Sequence, residues 1–318
     1  MSSVLITGAN GLVGRTVCRT LTDHGHEVTA LVRRTDGVLD GLRVWQHGAS
    51  NFDQLSAAWP RDLAPDCVVH LAARVHVMRD DSPDPDAAFY ATNVEGTLRV
   101  ARAAHSHGAR RFVFVSSIKA VAECDEGVPI AESARASPSD PYGRSKLAAE
   151  EALWRLSEET GLEVVVVRPP LVYGPGVGAN FQQMMNAVWR GIPLPLGRIE
   201  AQRSLVYGGN LAHAIMQCAT DARAANACFH VSDGQDLSVA QLLDSLGRHL
   251  GKPARLIPVP PGLLRFAGAI TGRTAQMERL TTSLRVDSSL IRARLDWHPP
   301  FSVDDGLEAT ARWYRATH

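Results

Sequence analysis

Short runs of apolar residues alternate with longer amphipathic segments through the first half of the chain. The apolar runs are rich in β-branched residues and predict buried strands at 4–7, 28–32, 43–45, 67–71, 112–115 and 164–167. The amphipathic segments predict helices at 11–21, 52–58, 87–107 and 142–160. Strands that are apolar throughout and separated by helices indicate a parallel sheet covered on both faces.

Beyond residue 168 the regular alternation ends, because prolines stand at 169, 170, 175, 193 and 195 and cluster again at 258–261. Strands are still predicted at 205–207 and 229–231, and a helix at 239–250. The fold class expected is α/β, a doubly wound parallel Rossmann sheet with a smaller, discontinuous C-terminal lobe. The boundaries expected are 1–174 with 204–232 for the dinucleotide-binding domain, and 175–203 with 233–318 for the substrate lobe. The polar segment 78–86 is predicted to be a loop.

Composition narrows the class of protein. The 318 residues carry 33 Lys and Arg against 33 Asp and Glu, so the net charge is zero and no nucleic-acid partner is expected. No apolar stretch approaches the ~20 residues of a membrane helix, and the first apolar run lacks a basic leader, so neither a membrane span nor a signal peptide is expected. Five cysteines without CxxC spacing predict a reduced, cytoplasmic protein, and the histidine pairs at 24/26 and 105/107 lack further metal ligands.

A glycine-rich turn follows the first strand, in the sequence Thr7-Gly-Ala-Asn-Gly-Leu-Val-Gly. Gly8 permits a tight turn, Gly11 lets the backbone approach a pyrophosphate, and Gly14 lets the helix pack on the strand. The helix N-terminus would then bind the phosphates through free N–H groups. Because the turn lies between a strand and a helix, it predicts a dinucleotide site.

The end of the second strand bears on the choice of coenzyme. An NAD site typically has a carboxylate there for the ribose diol, whereas this chain has Arg33 and Arg34. Two guanidinium groups can bind a 2′-phosphate, so NADP(H) is favoured and NAD(H) remains possible. The alternative is a pair of solvated arginines without a role.

Tyr142 and Lys146 are four residues apart and therefore share one face of a predicted helix. A phenol is a poor acid or base at neutral pH unless a neighbouring ammonium group stabilises the phenolate, and Lys146 could supply that charge. Ser116 and Ser117 follow the fifth strand at the ligand-binding edge, where one hydroxyl could polarise a carbonyl oxygen. Asn93, in a helical stretch, is either a hydrogen-bonding partner of a strand end or a buried structural amide.

These segments occur in a familiar order: TGANGLVG, VVHLAA (68–73), NVEGT (93–97), FVFVSS (112–117), PYGRSK (141–146) and RPPLVYGPG (168–176). Over essentially its whole length the chain resembles the extended short-chain dehydrogenase/reductases, in the nucleotide-sugar epimerase/dehydratase branch. The resemblance implies Tyr142 as acid and base, Lys146 as its partner, and Ser117 as the substrate-polarising hydroxyl. It also implies a homodimer through helices 87–107 and 142–160.

The resemblance further implies two sets of binding residues. Coenzyme contacts are expected from Gly8, Gly11 and Gly14 and from Arg33, Arg34, Tyr142 and Lys146. They are also expected from Asn10, Leu12, Val13, Leu71, Ala72, Ala73, Asn93 and Pro169. Contacts to the diphosphate of a UDP-sugar are expected from Asn180, Phe181 and Arg203.

Three positions depart from the family pattern and limit the reaction. Gly48-Ala49 stands where relatives often have Gly-Asp near adenine, and Leu171 stands where many have Asn. Ile118 follows Ser117 where 4,6-dehydratases have an acidic pair, and it can supply neither acid nor base, which argues against a dehydratase.

Because Arg33 and Arg34 favour NADP(H), the first function expected is that of an NAD(P)H-dependent reductase. Its substrate would be a UDP-4-keto-sugar of the UDP-N-acetylquinovosamine type, in surface polysaccharide precursor synthesis. The alternative is a UDP-glucose or UDP-N-acetylglucosamine 4-epimerase with bound NAD. A non-catalytic coenzyme-binding regulator is a minor alternative, since it would not need Tyr142 and Lys146.

Overall fold

The computed structural model describes residues 1–75, 83–272 and 274–318. Its strands are β1 Ser3–Thr7, β2 Glu27–Val32, β3 Arg43–Gln46, β4 Cys67–His70, β5 Arg111–Val115, β6 Glu163–Arg168, β7 Leu171–Tyr173, β8 Gln202–Arg203, β9 Leu205–Tyr207, β10 Ala227–His230 and β11 Leu237–Ser238. Its α-helices are α1 Leu12–Asp23, α2 Pro85–Tyr90, α3 Gly96–Ser106, α4 Pro141–Thr160, α5 Ala179–Trp189, α6 Gly208–Thr220, α7 Val239–Leu250, α8 Pro261–Ile270, α9 Thr274–Thr281, α10 Ser289–Leu295 and α11 Val303–Thr317.

In the described residues, seven strands form one parallel sheet in the order β10-β6-β5-β4-β1-β2-β3. From β1 the chain adds β2 and β3 on one side. It then crosses back and adds β4, β5, β6 and β10 on the other side. A crevice therefore opens at the carboxyl ends of β1 and β4, where doubly wound sheets bind ligands. This confirms the expected α/β Rossmann class, and β10, in the segment expected to return to the sheet, is its outer strand beside β6.

Each face of the sheet has its own apolar core. Helices α1 and α6 pack on one face, and α3 and α4 pack on the other. A third core holds the C-terminal lobe together, with α5, α7 and α11 packed around buried side chains such as Phe181, Leu243 and Tyr314. Two small strand pairs, β8 with β11 and β7 with β9, lie outside the seven-stranded sheet. The exact domain boundaries stay a prediction.

Two predicted helices differ from the structure. Segment 52–58 is not a helix: the chain makes a short 3-10 turn at Ser50–Phe52, and Asn51, Phe52 and Gln54 have positive φ, which ends regular helical geometry. The predicted helix 87–107 starts earlier, at Pro85, and a π-helical stretch at Ala91–Glu95 divides it into α2 and α3. Of the predicted loop 78–86, residues 78–82 lie outside the described residues, while Pro85 and Asp86 open α2.

A buried hydrogen-bond chain ties the sheet edge to α3. Thr7 Oγ1 accepts two backbone N–H groups from the segment after β4, so its own proton faces His70 Nδ1 at 2.8 Å. His70 Nε2 lies 3.1 Å from Thr97 Oγ1, which itself donates to the carbonyl of Asn93. The arrangement requires neutral His70 with its proton on Nε2. Burial agrees, since it lowers the pKa of His70 to about 3.

The buried His70 predicts acid sensitivity of the fold. A histidine has a pKa of about 6.5 when unfolded, so below that pH the unfolded state binds more protons than the native state. Stability is therefore lost as pH falls from about 6.5 toward the folded pKa of about 3, at up to about 1.4 kcal/mol per pH unit. His70→Gln should flatten this part of the dependence of the unfolding free energy, measured by denaturant titration, with His298→Gln as the exposed control. Parallel curves for wild type and His70→Gln would refute the assignment.

Candidate functional site

The glycine-rich turn at residues 7–14, called the glycine cradle below, is closely packed. Gly8 has φ of 69°, and a Cβ there would lie 2.9 Å from the backbone nitrogen of Ala72. A Cβ on Gly14 would lie 2.1 Å from the carbonyl oxygen of Gly8, so both positions need glycine for close packing. The N-cap of α1, Gly11, offers no side-chain cap, and the first turn holds no acidic residue. The N–H groups at the start of α1 are therefore open to a pyrophosphate, as Rossmann coenzyme binding requires.

Residues around the cradle support its shape. Asn10 Nδ2 donates to the carbonyls of Arg34 and Asp36 at 3.5 and 3.4 Å, and so holds the segment after β2 beside the turn. Arg33 and Arg34 are exposed. Leu12, Val13, Leu71, Ala72 and Ala73 are half-buried around the crevice, and buried Pro169 accepts the N–H of Ile118 at 3.0 Å.

Helix α4 presents Tyr142 and Lys146 one turn apart. Its first turn is fixed by the N-cap Asp140, which accepts the N–H of Gly143 at 2.7 Å. A Cβ on Gly143 would lie 2.3 Å from the carbonyl oxygen of Lys119, so the residue after Tyr142 must be glycine for α4 to approach the segment after β5. The buried Lys146 Nζ donates to the carbonyl of Val115 at 2.8 Å, and lies 5.9 Å from the centre of the Tyr142 ring.

Burial shifts the pKa values of both Tyr142 and Lys146. Burial raises the pKa of Tyr142 to about 12, and a hydrogen bond from Ser117 opposes this only in part. Burial lowers the pKa of Lys146 to about 7, while the charge of Glu150 opposes that shift. Desolvation of the phenol therefore dominates the pKa of Tyr142, and the stabilisation of a phenolate by Lys146 stays a prediction. Tyr142 is a neutral phenol, able to donate a proton, at pH 7.

The two serines after β5 have different partners. Ser116 is buried, and its hydroxyl donates to Glu150, a carboxylate that also accepts from Arg168 Nε at 3.1 Å. Ser117 is only half-buried, its Oγ accepts the N–H of Lys119 at 3.2 Å, and it lies close enough to Tyr142 to lower the pKa of that phenol. The position of Ser117 near Tyr142 is compatible with the substrate-polarising role that the resemblance implies, and that role stays a prediction.

The serine pair gives a ranked prediction. Ser117→Ala should lower kcat about 10²-fold or more, because it removes a preorganised donor beside the reacting oxygen. Ser116→Ala should lower thermal stability, since it deprives Glu150 of a buried partner, and should change kcat much less. Steady-state kinetics and thermal melts of both variants provide the check. The opposite kinetic ranking would transfer the role to Ser116.

Asn93 acts on the site through other residues. Its buried side chain accepts the N–H of Arg74 at 2.8 Å and donates to the carbonyl of Arg74 at 3.0 Å and to Ser145 Oγ at 2.9 Å. These bonds join the segment after β4 to α4, next to Tyr142. The contacts fit both roles that the sequence left open, since the amide is buried and also bonds the backbone of the segment after β4.

The three residues expected to contact a diphosphate lie in different settings. Asn180 is exposed in the first turn of α5, whereas the Phe181 side chain is buried and stacks on Tyr173 at 5.6 Å. Position 181 can therefore reach a ligand only through its backbone. Arg203 is half-buried and donates to the carbonyl of Thr282 at 3.2 Å. Burial and the neighbouring Arg279 lower the pKa of Arg203, as expected where two guanidinium groups meet.

Two features of the site were missed from the sequence. Arg279 of α9 lies close to Arg203, but a single arginine in an arginine-rich chain gives no signal. Glu150 carries a signal that was available: it follows Tyr142 and Lys146 at the same four-residue spacing on α4. Its ion pair with Arg168 places a carboxylate behind Lys146, where it favours the ammonium form.

Metal and membrane expectations can be compared with the described part of the chain. Among those residues, no three His, Cys, Asp or Glu side chains form a cluster suited to a metal ion. None of the described helices is both long enough and apolar enough to cross a bilayer.

Fold and motifs together define the class. A doubly wound sheet, a glycine cradle after β1 and a Tyr-x-x-x-Lys helix place the chain among the extended short-chain dehydrogenase/reductases. The model of the NAD dependent epimerase/dehydratase family matches residues 4–231, and the chain belongs to that family.

Similar proteins share the whole length of the chain. A UDP-glucose 4-epimerase from Vibrio cholerae is 38% identical over 315 residues, which cover 98% of this chain and 94% of the relative. The structure of a UDP-glucose 4-epimerase with UDP-glucose from Thermotoga maritima has a TM-score of 0.80 at 24% identity, and 99% of each chain is covered. A UDP-glucose 4-epimerase complex with NAD from Thermus thermophilus has a TM-score of 0.78 at 22% identity, with 99% of this chain and 100% of that chain covered.

Proposed function

We propose that the chain is a UDP-hexose 4-epimerase that retains NAD. The observation that carries the proposal is the pairing of the Ser117 and Tyr142 hydroxyls beside Lys146, at the sheet edge that also bears the glycine cradle. The 38% identity to a UDP-glucose 4-epimerase over nearly the full length supports the same reaction. This places the epimerase ahead of the 4-keto-sugar reductase that the sequence favoured.

Tyr142, Ser117 and Lys146 would each have a separate role in the reaction at C4 of the hexose. Bound NAD would supply a hydride acceptor and donor for that carbon. Tyr142 Oη would exchange a proton with the C4 oxygen, while the Ser117 hydroxyl would donate a hydrogen bond to it. Lys146, held by the Val115 carbonyl, would place a positive charge behind the phenol in its ammonium form and contact the coenzyme ribose. Because the reaction restores the coenzyme, no net redox partner is needed.

The coenzyme is proposed to be NAD because Arg33 and Arg34 are not preorganised for a phosphate. Both are exposed, and in the described residues neither forms an ion pair. Ordering two free guanidinium groups costs side-chain entropy that a preformed site avoids. The family is also described as NAD dependent. NADP(H) with a 4-keto-sugar remains the second candidate, since these arginines are the feature that favours it.

The substrate anchor proposed is a guanidinium pair. Arg203 and Arg279 lie close enough for their charges to interact, Arg279 also pairs with Glu123 at 3.4 Å, and a diphosphate could form charge-assisted hydrogen bonds with both guanidinium groups. Asn180 and the backbone N–H groups at the start of α5 would add neutral donors. An anchor at the diphosphate leaves the hexose free to present either face at C4, as epimerisation requires.

One assay tests the proposal. Purified protein is incubated with UDP-galactose without added coenzyme, and the sugar nucleotides are separated by chromatography. The expected result is interconversion of UDP-galactose and UDP-glucose, with NAD released when the protein is denatured. Absence of turnover without coenzyme, together with oxidation of NADPH when a UDP-4-keto-sugar is offered, would replace the epimerase by the reductase.

A further inference from the structure

Helix α8 turns an apolar face to solvent. Leu264 and Gly268 are buried against the C-terminal lobe. On the opposite side, Leu263, Phe266 and Ile270 are 60%, 65% and 70% exposed. Their spacing of three and four residues aligns them along one stripe of the helix. Large apolar side chains grouped in this way mark a docking surface more often than an ordinary protein exterior.

The segment before α8 extends this surface. Exposed Ile257 donates its backbone N–H to the carbonyl of Leu194 at 2.8 Å and accepts the N–H of Gly197 at 3.0 Å. The pairing brings segment 190–198, with its exposed Ile192, alongside the segment that leads into α8. We refer to segments 190–198 and 251–270 together as the α8 face.

The sequence around the α8 face is basic. Segments 190–198 and 251–270 contain five Lys and Arg residues and no acidic residue, in a chain of zero net charge. Arg198, Arg255 and Arg265 are exposed. The α8 face therefore combines apolar side chains with positive charge, as surfaces that bind anionic bilayers do.

We propose that the α8 face docks on an anionic lipid membrane. Leu263, Phe266 and Ile270 would enter the boundary between headgroups and acyl chains, and the surrounding arginines would contact the headgroup phosphates. A second copy of the chain fits less well, because a two-fold contact would place this basic surface against itself. The ten-residue α8 is too short to cross a bilayer, so the docking is peripheral.

The α8 face is connected to the candidate site. Helix α9 packs on α8, and Arg265 of α8 donates to Thr281 of α9 at 3.1 Å. From α9, Arg279 pairs with Glu123 at 3.4 Å, and Glu123 in turn pairs with Lys119, two residues after Ser117. Docking would therefore hold the Ser117 segment near the membrane surface, whichever reaction the site performs.

Sedimentation with vesicles tests the proposal. The full chain is mixed with vesicles of equal parts phosphatidylglycerol and phosphatidylcholine, and separately with vesicles of phosphatidylcholine alone. The wild type should sediment with the anionic vesicles, less with the neutral ones, and less as salt is raised. A Leu263→Ser, Phe266→Ser, Ile270→Ser triple variant should bind about tenfold or more weakly, because it loses most of the inserted apolar area.

The control is Val128→Ser, since Val128 is 72% exposed and lies outside the α8 face. It should bind vesicles like the wild type, and thermal melts should show both variants folded. Wild type that stays in solution with anionic vesicles, equal binding to both lipid compositions, or undiminished binding of the triple variant would overturn the proposal. So would a lipid-free dimer, seen in sedimentation equilibrium, that the triple variant abolishes, since the α8 face would then bind a second copy.

Discussion

Replacing Tyr142 by phenylalanine is expected to lower kcat about 10²–10⁴-fold and to leave coenzyme binding nearly unchanged. The variant removes the phenolic oxygen whose pKa Ser117 influences, while the ring keeps its edge-on packing against Phe89 at 6.2 Å. Steady-state kinetics with UDP-galactose gives the rate, and titration with NAD of protein freed of its coenzyme gives the affinity.

The control for this variant is Tyr90→Phe, because Tyr90 is 50% exposed and lies outside the group formed by Tyr142, Lys146 and Ser117. It should keep the wild-type rate. A Tyr142→Phe enzyme with near-normal kcat would show that another group moves the proton, and the assignment of Lys146 and Ser117 would fail with it.

Gly14→Ala is expected to weaken NAD binding about tenfold to a hundredfold and to lower the unfolding free energy by about 1–3 kcal/mol. Alanine is the better helix former by about 1 kcal/mol, so on propensity alone the substitution would stabilise α1. The added Cβ, however, would lie 2.1 Å from the carbonyl oxygen of Gly8, a backbone atom that cannot turn aside. The turn must therefore open, and the cradle loses its shape.

Gly262→Ala is the matched control, because a Cβ at Gly262 has no neighbour within 4 Å and the residue also lies in the first turn of a helix. Its stability should equal or exceed that of the wild type. Calorimetric NAD titration and denaturant unfolding measure both effects. Unchanged NAD affinity in Gly14→Ala would contradict the placement of the coenzyme at this turn.

The sheet and the catalytic pair could be predicted from the sequence because their signals are local. Continuous apolar strands identify a sheet buried on both faces, and the four-residue spacing of Tyr142 and Lys146 fixes a shared helix face. Segment 52–58 was mispredicted because its apolar spacing suits a helix, whereas its backbone turns through positive φ at Phe52 and Gln54. Tertiary packing determines the backbone conformation of that segment, and no local sequence pattern indicates this conformation.

The electrostatics of the site could not be predicted in the same way. The pKa of Tyr142 depends on how completely α4 buries the phenol, and sequence spacing contains no measure of burial. The proximity of Arg203 and Arg279 joins residues far apart in the chain. Coenzyme choice was inferred from the identity of Arg33 and Arg34, but exposure, which decides whether they are preorganised, is visible only in the fold.

The most direct test of the proposed reaction follows a deuterium label at C4 of UDP-galactose. The labelled substrate is converted in the presence of excess unlabelled NADH and NADPH, and the label in the UDP-glucose formed is measured by mass spectrometry. A 4-epimerase with retained NAD predicts that the product keeps its deuterium at C4, because the hydrogen never leaves the enzyme. Product that has lost the label to the added coenzymes, or product that forms only when they are supplied, would contradict this proposal.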